Sequence, residues 1–323
     1  MAKNLIDRPP TPFWKTFVYF MLGLFALLLV ISFFIPGNSG DCIGRIKVTG
    51  EIVYDSADSL LGGAAANTPE DINGLLKQAD SDEYVKAIFL QVNSPGGSAV
   101  ASKEIYDQIR KLKKPSIVFM TEIAAWGGFY ISAAGDYIIA HPNALTGSIG
   151  ARATFTNYEG LFEKLGLREE TIKSGELKDI GAGYRNLTDK ERELLQGLID
   201  ETFQIFRKDV EAGRKGKLNS ALFNEALDAR ILSASQAKRI GLIDEVGGMD
   251  VALLKANELG GNKEINDLKL TNAQKEDKLW PVCDFSSNKG FNLFSGLSSE
   301  LGKSFASGFA SALGERKVSV KYN

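Results

Sequence analysis

Three short segments hold the residue types that could act on a carbonyl compound. Asn93-Ser94-Pro95-Gly96-Gly97-Ser98 closes an apolar run and precedes a helical pattern. Backbone N–H groups at Gly96 and Gly97 could therefore point into a cleft as an oxyanion hole. Ala124-Ala125-Trp126-Gly127-Gly128-Phe129-Tyr130 crowds small residues around one position between an expected strand and an expected helix. That geometry presents a nucleophile beside free N–H groups in other hydrolases. The residue presented here is Trp126, whose indole has neither hydroxyl nor thiol. Thr171 to Ile180 reads TIKSGELKDI and places Lys178 after a Ser-Gly turn. A lysine serves as general base when desolvation brings its pKa from about 10.4 towards 7 or 8. Taken alone, Lys178 reads as a surface lysine.

The rest of the composition closes other routes. The 323 residues include one His and two Cys, with 38 Lys+Arg against 40 Asp+Glu and a formal net charge of −2. One His excludes metal patterns that need two, and two Cys exclude a four-thiolate site. Cys42 and Cys283 form either one disulfide or two unpaired thiols. His141, just before Pro142 at a strand end, reads as structural and cannot complete a conventional triad alone. No basic surplus exists for a polyanion, so nucleic acid is not an expected partner.

The elements that must position these segments follow from periodicity. Phe17 to Ile35 is an uncharged, Pro-free run of 19 residues, close to bilayer thickness at about 1.5 Å per residue. Residues 17–35 are read as a transmembrane anchor rather than a cleaved signal peptide, because the run exceeds the usual signal length and no small-x-small site follows. Lys3, Arg8 and Lys15 precede it and put residues 1–16 in the cytoplasm. Residues 36–43 form a linker. From there strand and helix patterns alternate, which implies an α/β fold with a mostly parallel sheet. Strands are expected over 43–53, 85–92, 116–120, 137–140 and 170–173. Helices are expected after the Thr68 cap and over about 99–113, 128–134 and 158–165, then from the Thr188/Glu191 capping box to about 212, and over 233–239 up to Gly241. The 262–323 tail, rich in Gly, Ser, Phe and Leu towards its end, is either a solvent-exposed end or a segment that docks on a partner or membrane.

Five motifs then fall in one order: NSPGGS at 93–98, AAWGGFYIS at 124–132, LTGSIG at 145–150, IKSGELKDI at 172–180 and AKRIGLIDEVGG at 237–248. Together they resemble the signal peptide peptidase A (SppA) family of serine peptidases, in its short single-domain form, over residues 44–261. The resemblance implies a Clp-protease/crotonase-like ββα spiral and a Ser/Lys dyad in which an unprotonated Lys takes the proton of an attacking Ser. The base maps to Lys178, the nucleophile to Trp126, and the oxyanion donors to Gly96 or Gly97 with Gly127. Ser148 maps to the hydroxyl that orients the Lys. Gly181-Ala182-Gly183 stands where the family carries a Ser-Pro turn.

Peptide substrates such as signal peptides, a homo-oligomer and a bacterial inner-membrane location with the main domain outside the cytoplasm are implied as well. No cofactor and no metal are implied. Ser132 lies about 9 Å along the helix from Trp126, too far to replace the missing hydroxyl. Ser148 is the better substitute. The expectation is a signal-peptide-peptidase-like protein with little or no hydrolysis. An inactive peptide-binding or scaffolding relative is its alternative, and an acyl-thioester enzyme of the crotonase type is a remote third.

Overall fold

The computed structural model describes residues 17–25, 40–55, 67–266 and 278–286. Residues 17–25 are helical, and residues 26–35 of the expected anchor lie outside the described residues. Among the described residues no helix is long and apolar enough to cross a membrane.

Apolar runs with few polar interruptions build the centre of the domain. Strands β1 (Cys42–Thr49), β2 (Val85–Ser94) and β3 (Ser116–Ala125) pair in parallel and are covered on both faces. That is why they read as nearly continuous hydrophobic stretches. The helices between them start at sequence-coded caps. Thr68 Oγ1 accepts from the Asp71 N–H at 3.2 Å and opens α1 (Pro69–Ser81). Ser98 caps α2 (Ala99–Ile109) in the same way. Each cap satisfies an otherwise unpaired N–H of the first turn. Helix α3 (Gly127–Ser132) follows β3 directly, and strands β4 (Tyr137–Ala140) and β5 (Leu145–Gly147) both return parallel to β3.

Helix α4 (Glu159–Leu165) is short and buries no residue. Helix α5 (Asp189–Gly213) begins at the expected capping box of Thr188 and Glu191. Helix α6 (Ser220–Glu225) leads to β6 (Ile231–Ser233), which pairs antiparallel with β5. Helix α7 (Ala234–Ile240) stops at Gly241 in the left-handed region, strand β7 (Glu245–Val246) pairs with β4, and α8 (Met249–Gly260) follows. Strand β8 (Val282–Phe285) adds to the free edge of β1.

The main path of the sheet runs β6-β5-β3-β2-β1-β8. One face of β2, through Ile88, Leu90 and Val92, joins a core with Ile105 of α2 and Phe129 of α3. The other face, through Ala87 and Phe89, packs on Ala252 and Ala256 of α8. Each fully buried Ile or Phe contributes about 1.5–3 kcal/mol relative to an exposed one. This places both candidate cleft segments at the ends of buried central strands.

The structure corrects one expected strand and decides the cysteine pairing that the sequence left open. The strand expected over 170–173 does not form; Ile172 is 97% exposed. Its β-branched residues have propensity but no neighbouring strand, and propensity alone does not sustain an unpaired strand. Cys42 and Cys283 are joined, with Cα atoms 5.9 Å apart. The sheet therefore takes in residues beyond 261, and Arg45 reinforces the edge with a bidentate pair to Asp284 at 2.5 and 2.6 Å.

Candidate functional site

Two strand ends meet at the candidate cleft. At the end of β2 the chain turns through Gly96 (φ 108°) and Gly97 (φ 153°), backbone regions that side chains rarely adopt. Ser94 is fully buried, and its Oγ accepts the Gly96 N–H at 3.2 Å. Ile52 then straps the turn, donating its N–H to the Gly96 carbonyl at 2.9 Å and accepting from the Ser98 N–H at 2.7 Å. A Cβ at Gly97 would collide with the Ile52 carbonyl. The Gly97 N–H has no protein acceptor among the described residues, so of the two alternatives at this turn Gly97 is the available donor.

The end of β3 supplies the second wall. Trp126 stands at φ 49° and ψ −115°. A bulky residue at positive φ is an outlier held by its surroundings at a cost of order 1–3 kcal/mol. The surroundings here are two hydrogen bonds: Trp126 donates to the Gly147 carbonyl at 2.9 Å and accepts from the Tyr130 N–H at 2.7 Å. The strained elbow expected of a nucleophile is therefore present at a residue without a nucleophilic atom.

A Cβ built on Gly127 would lie 3.3 Å from the Gly97 nitrogen, and one on Gly96 would lie 2.7 Å from the Gly127 nitrogen and 2.9 Å from Trp126 Cε3. Gly96, Gly97, Trp126 and Gly127 are thus brought together, with the indole beside the glycine turn. Close approach of these two backbones requires glycine at all three positions.

Ser148 follows Gly147, the partner of Ala125, and is itself at φ 54° with its N–H bound to the Arg230 carbonyl at 2.9 Å. It lies just past the end of β5, the strand that pairs with β3 before the elbow. Ser132 is fully buried and donates its hydroxyl to the Gly128 carbonyl at 2.7 Å, so it is committed to its own helix.

Lys178 is placed differently. It is exposed, and its backbone N–H closes a turn on the Gly175 carbonyl at 3.1 Å. No hydrogen bond or ion pair among the described residues joins it to Ser148 or to the Trp126 elbow. The lysine turn is tied to the start of α5 by Lys190–Glu176 at 3.0 Å and Arg185–Glu191 at 2.6 Å. The elbow helix α3 is tied to the far end of α5 instead. Tyr130 stacks on Phe206 with ring centroids 4.2 Å apart and donates its hydroxyl to Asp209. Burial, reinforced by this hydrogen bond and by the charge of Asp209, pushes the Tyr130 phenol far above its ordinary value. Tyr106, pushed up to about 12 mainly by burial, donates to the Asp209 carbonyl at 2.7 Å. Lys178 and the elbow therefore attach near opposite ends of the 25-residue α5, and Glu191 and Asp209 lie roughly 27 Å apart along its axis.

The periodicity did not point to Ser94, Ile52, Asp179 or Arg185. Ser94 carried a usable signal, a hydroxyl just before Pro-Gly-Gly. The other three act through contacts that no spacing rule foretells.

Comparison with known proteins adds the lineage. The model of peptidase family S49 matches residues 108–263, and that of Clp protease matches residues 51–146. A putative protease of Methanocaldococcus jannaschii is 37% identical over 251 residues, covering 74% of this chain and 79% of its own. A putative signal peptide peptidase SppA of Enterococcus faecium is 35% identical, covering 72% of this chain and 66% of its own. The solved structure of a ClpP1 from Listeria monocytogenes is 17% identical, covers 64% of this chain and 92% of its own, and gives a TM-score of 0.42.

Proposed function

The chain belongs to peptidase family S49, and on that premise we propose a membrane-anchored, signal-peptide-peptidase-like protein whose cleft binds extended peptides but whose own hydrolysis is arrested at Trp126. The observation that carries this reading is the strained elbow at Trp126, set beside the Gly97 and Gly127 N–H groups yet lacking a hydroxyl. In the proposed site Gly97 and Gly127 polarise a peptide carbonyl, Lys178 is the base, and Ser148 orients it. Without a nucleophile such a site retains only the weak effect of binding and oxyanion donors.

Residues 17–35 serve as the anchor in this reading, with residues 1–16 in the cytoplasm of a bacterium and the domain on the far side of its inner membrane. The Cys42–Cys283 bridge suits that oxidising side. A homo-oligomer completes the proposal. The 151–188 face shows Phe155, Leu161, Leu165, Leu167 and Ile172 to solvent in one chain, and a second copy is the occupant proposed to cover them and to bring a Lys178 to a cleft. A second reading, an active peptidase in which Ser148 attacks, is favoured by the position of Ser148 next to the elbow.

Turnover of a fluorogenic peptide by the full chain separates these. The natural chain is expected to be silent, Trp126→Ser to cut at least about 10³-fold faster, and Trp126→Ser with Lys178→Ala to be silent again. Turnover by the natural chain that vanishes in Lys178→Ala would overturn the arrested reading. Loss of that turnover in Ser148→Ala would assign the attack to Ser148.

A further inference from the structure

Among the charged side chains near Lys178, one arrangement is more elaborate than a surface turn requires. The Asp179 carboxylate, adjacent to Lys178 in the chain, accepts from Arg185 Nε at 3.1 Å, Arg185 Nη2 at 2.8 Å, Lys173 Nζ at 2.6 Å and the Tyr184 hydroxyl at 2.8 Å. Arg185 turns its other edge to Glu191, bonding Oε1 at 2.6 Å and Oε2 at 2.8 Å. Glu191 is buried and also accepts the Thr188 N–H at 2.9 Å, which closes the capping box of α5.

The clamp has an electrostatic result. Between 173 and 190 every lysine and arginine except Lys178 is in an ion pair: Lys173 and Arg185 with Asp179, Arg185 also with Glu191, and Lys190 with Glu176. Asp179 is the carboxylate nearest to Lys178 in sequence, and four donors occupy its lone pairs. A carboxylate released from these partners would be free to pair with the neighbouring ammonium and hold its proton in place. A lysine that is to accept a proton needs the opposite.

We propose that Arg185 is a positioning residue for Lys178: it sequesters Asp179, so that the lysine projects from a rigid turn without a counter-ion of its own. Glu191 is the anchor that fixes Arg185 to the start of α5. The geometry suits arginine rather than lysine, because both carboxylates are engaged by a planar fork. The proposal deepens the reading above by adding a residue to the base side of the site, and it rests on that reading for the role of Lys178.

Two measurements on the full chain test it. In the natural chain, acetylation of lysines by an N-hydroxysuccinimide ester at about pH 8 is followed by mass spectrometry, with exposed Lys111 as internal reference. Arg185→Gln removes two of the four donors to Asp179 and is expected to slow Lys178 acetylation at least about three-fold relative to Lys111, because the carboxylate, left with Lys173 and Tyr184, has capacity to stabilise the neighbouring ammonium. Adding Asp179→Asn is expected to restore the rate, since the competing charge is gone, although the clamp stays broken. A merely structural Arg185 would leave Lys178 equally or more reactive and would show no such rescue, and either result overturns the proposal. In the Trp126→Ser chain, Arg185→Gln is expected to lower kcat about ten-fold at unchanged KM. Labelling needs no catalysis, so a silent Trp126→Ser chain counts against the proposed function alone, and the acetylation rates still decide the role of Arg185.

Discussion

The two halves of the candidate site are built on opposite principles. The cleft wall, residues 94–98 and 124–132, carries no formal charge and is held by buried hydroxyls, glycine contacts and core packing. The lysine turn buries almost nothing and is held by charge, through Asp179, Arg185 and Glu191. Packing of the first kind fixes atoms whatever the pH or salt, since dispersion contacts and backbone hydrogen bonds do not titrate. An ionic clamp in partial contact with water depends on protonation, on screening and on whatever covers it. Under the proposed function, the wall that would bind a carbonyl depends little on conditions, and the turn that would carry the proton is conditional.

The contrast can be broken most forcefully in the cleft. Gly97→Ala sets a Cβ against the Ile52 carbonyl at a φ of 153°, and a loss of roughly 2–5 kcal/mol in urea unfolding is expected. An unchanged midpoint would show that the turn is free to move and that the cleft is not packing-limited.

A smaller effect is expected from acid, and only on the turn. The Arg185 hydrogen bonds, then those from Lys173 and Tyr184, hold Asp179 well below the ordinary carboxylate range. Arg185, with the Thr188 N–H, holds Glu191 at about 2. Carboxylates held down in this way stabilise the fold above their unfolded value near 4, and that contribution is lost as pH falls through the folded value. Amide hydrogen exchange over 173–192 is therefore expected to lose protection between about pH 4 and 2, before β2 and β3 do. Simultaneous loss in both regions would erase the distinction between turn and cleft.

The smallest effect on stability belongs to Ile172→Ser. A side chain 97% exposed is expected to change unfolding free energy by less than about 0.5 kcal/mol, while sedimentation velocity shows weakened self-association. A large stability loss would instead mean that Ile172 packs within its own chain.

Much of the scaffold was legible because it is local. The caps at Thr68 and Thr188 are short-range hydrogen bonds legible in the sequence, and both open helices in the structure, as Ser98 and Ser233 also do. The buried strands β2 and β3 announced themselves as apolar runs, although β3 extends five residues past the expected 120. Those last residues are stabilised by β5, a three-residue strand too short to carry a periodic signal. The 170–173 segment shows the reverse error, since Thr171 and Ile172 have the residue types of a strand and no partner in the fold. Strand β8 went unseen for a related reason: four residues gain their conformation from the β1 edge and the Cys42–Cys283 bridge.

By itself the sequence determined the α/β plan, the position of the two glycine turns, and the presence of Trp126 between a strand and a helix among small residues. Each of these is a matter of residue type and near-neighbour spacing. Only the tertiary structure decided that the two cysteines meet, that Ser94 engages the Gly96 N–H while the Gly97 N–H has no acceptor among the described residues, and that Asp179 is engaged by Arg185, Lys173 and Tyr184. It also decided that Lys178 and the elbow attach near opposite ends of α5. The reason is physical: which donor finds which acceptor depends on distances between residues tens of positions apart, and only the packed core sets those distances.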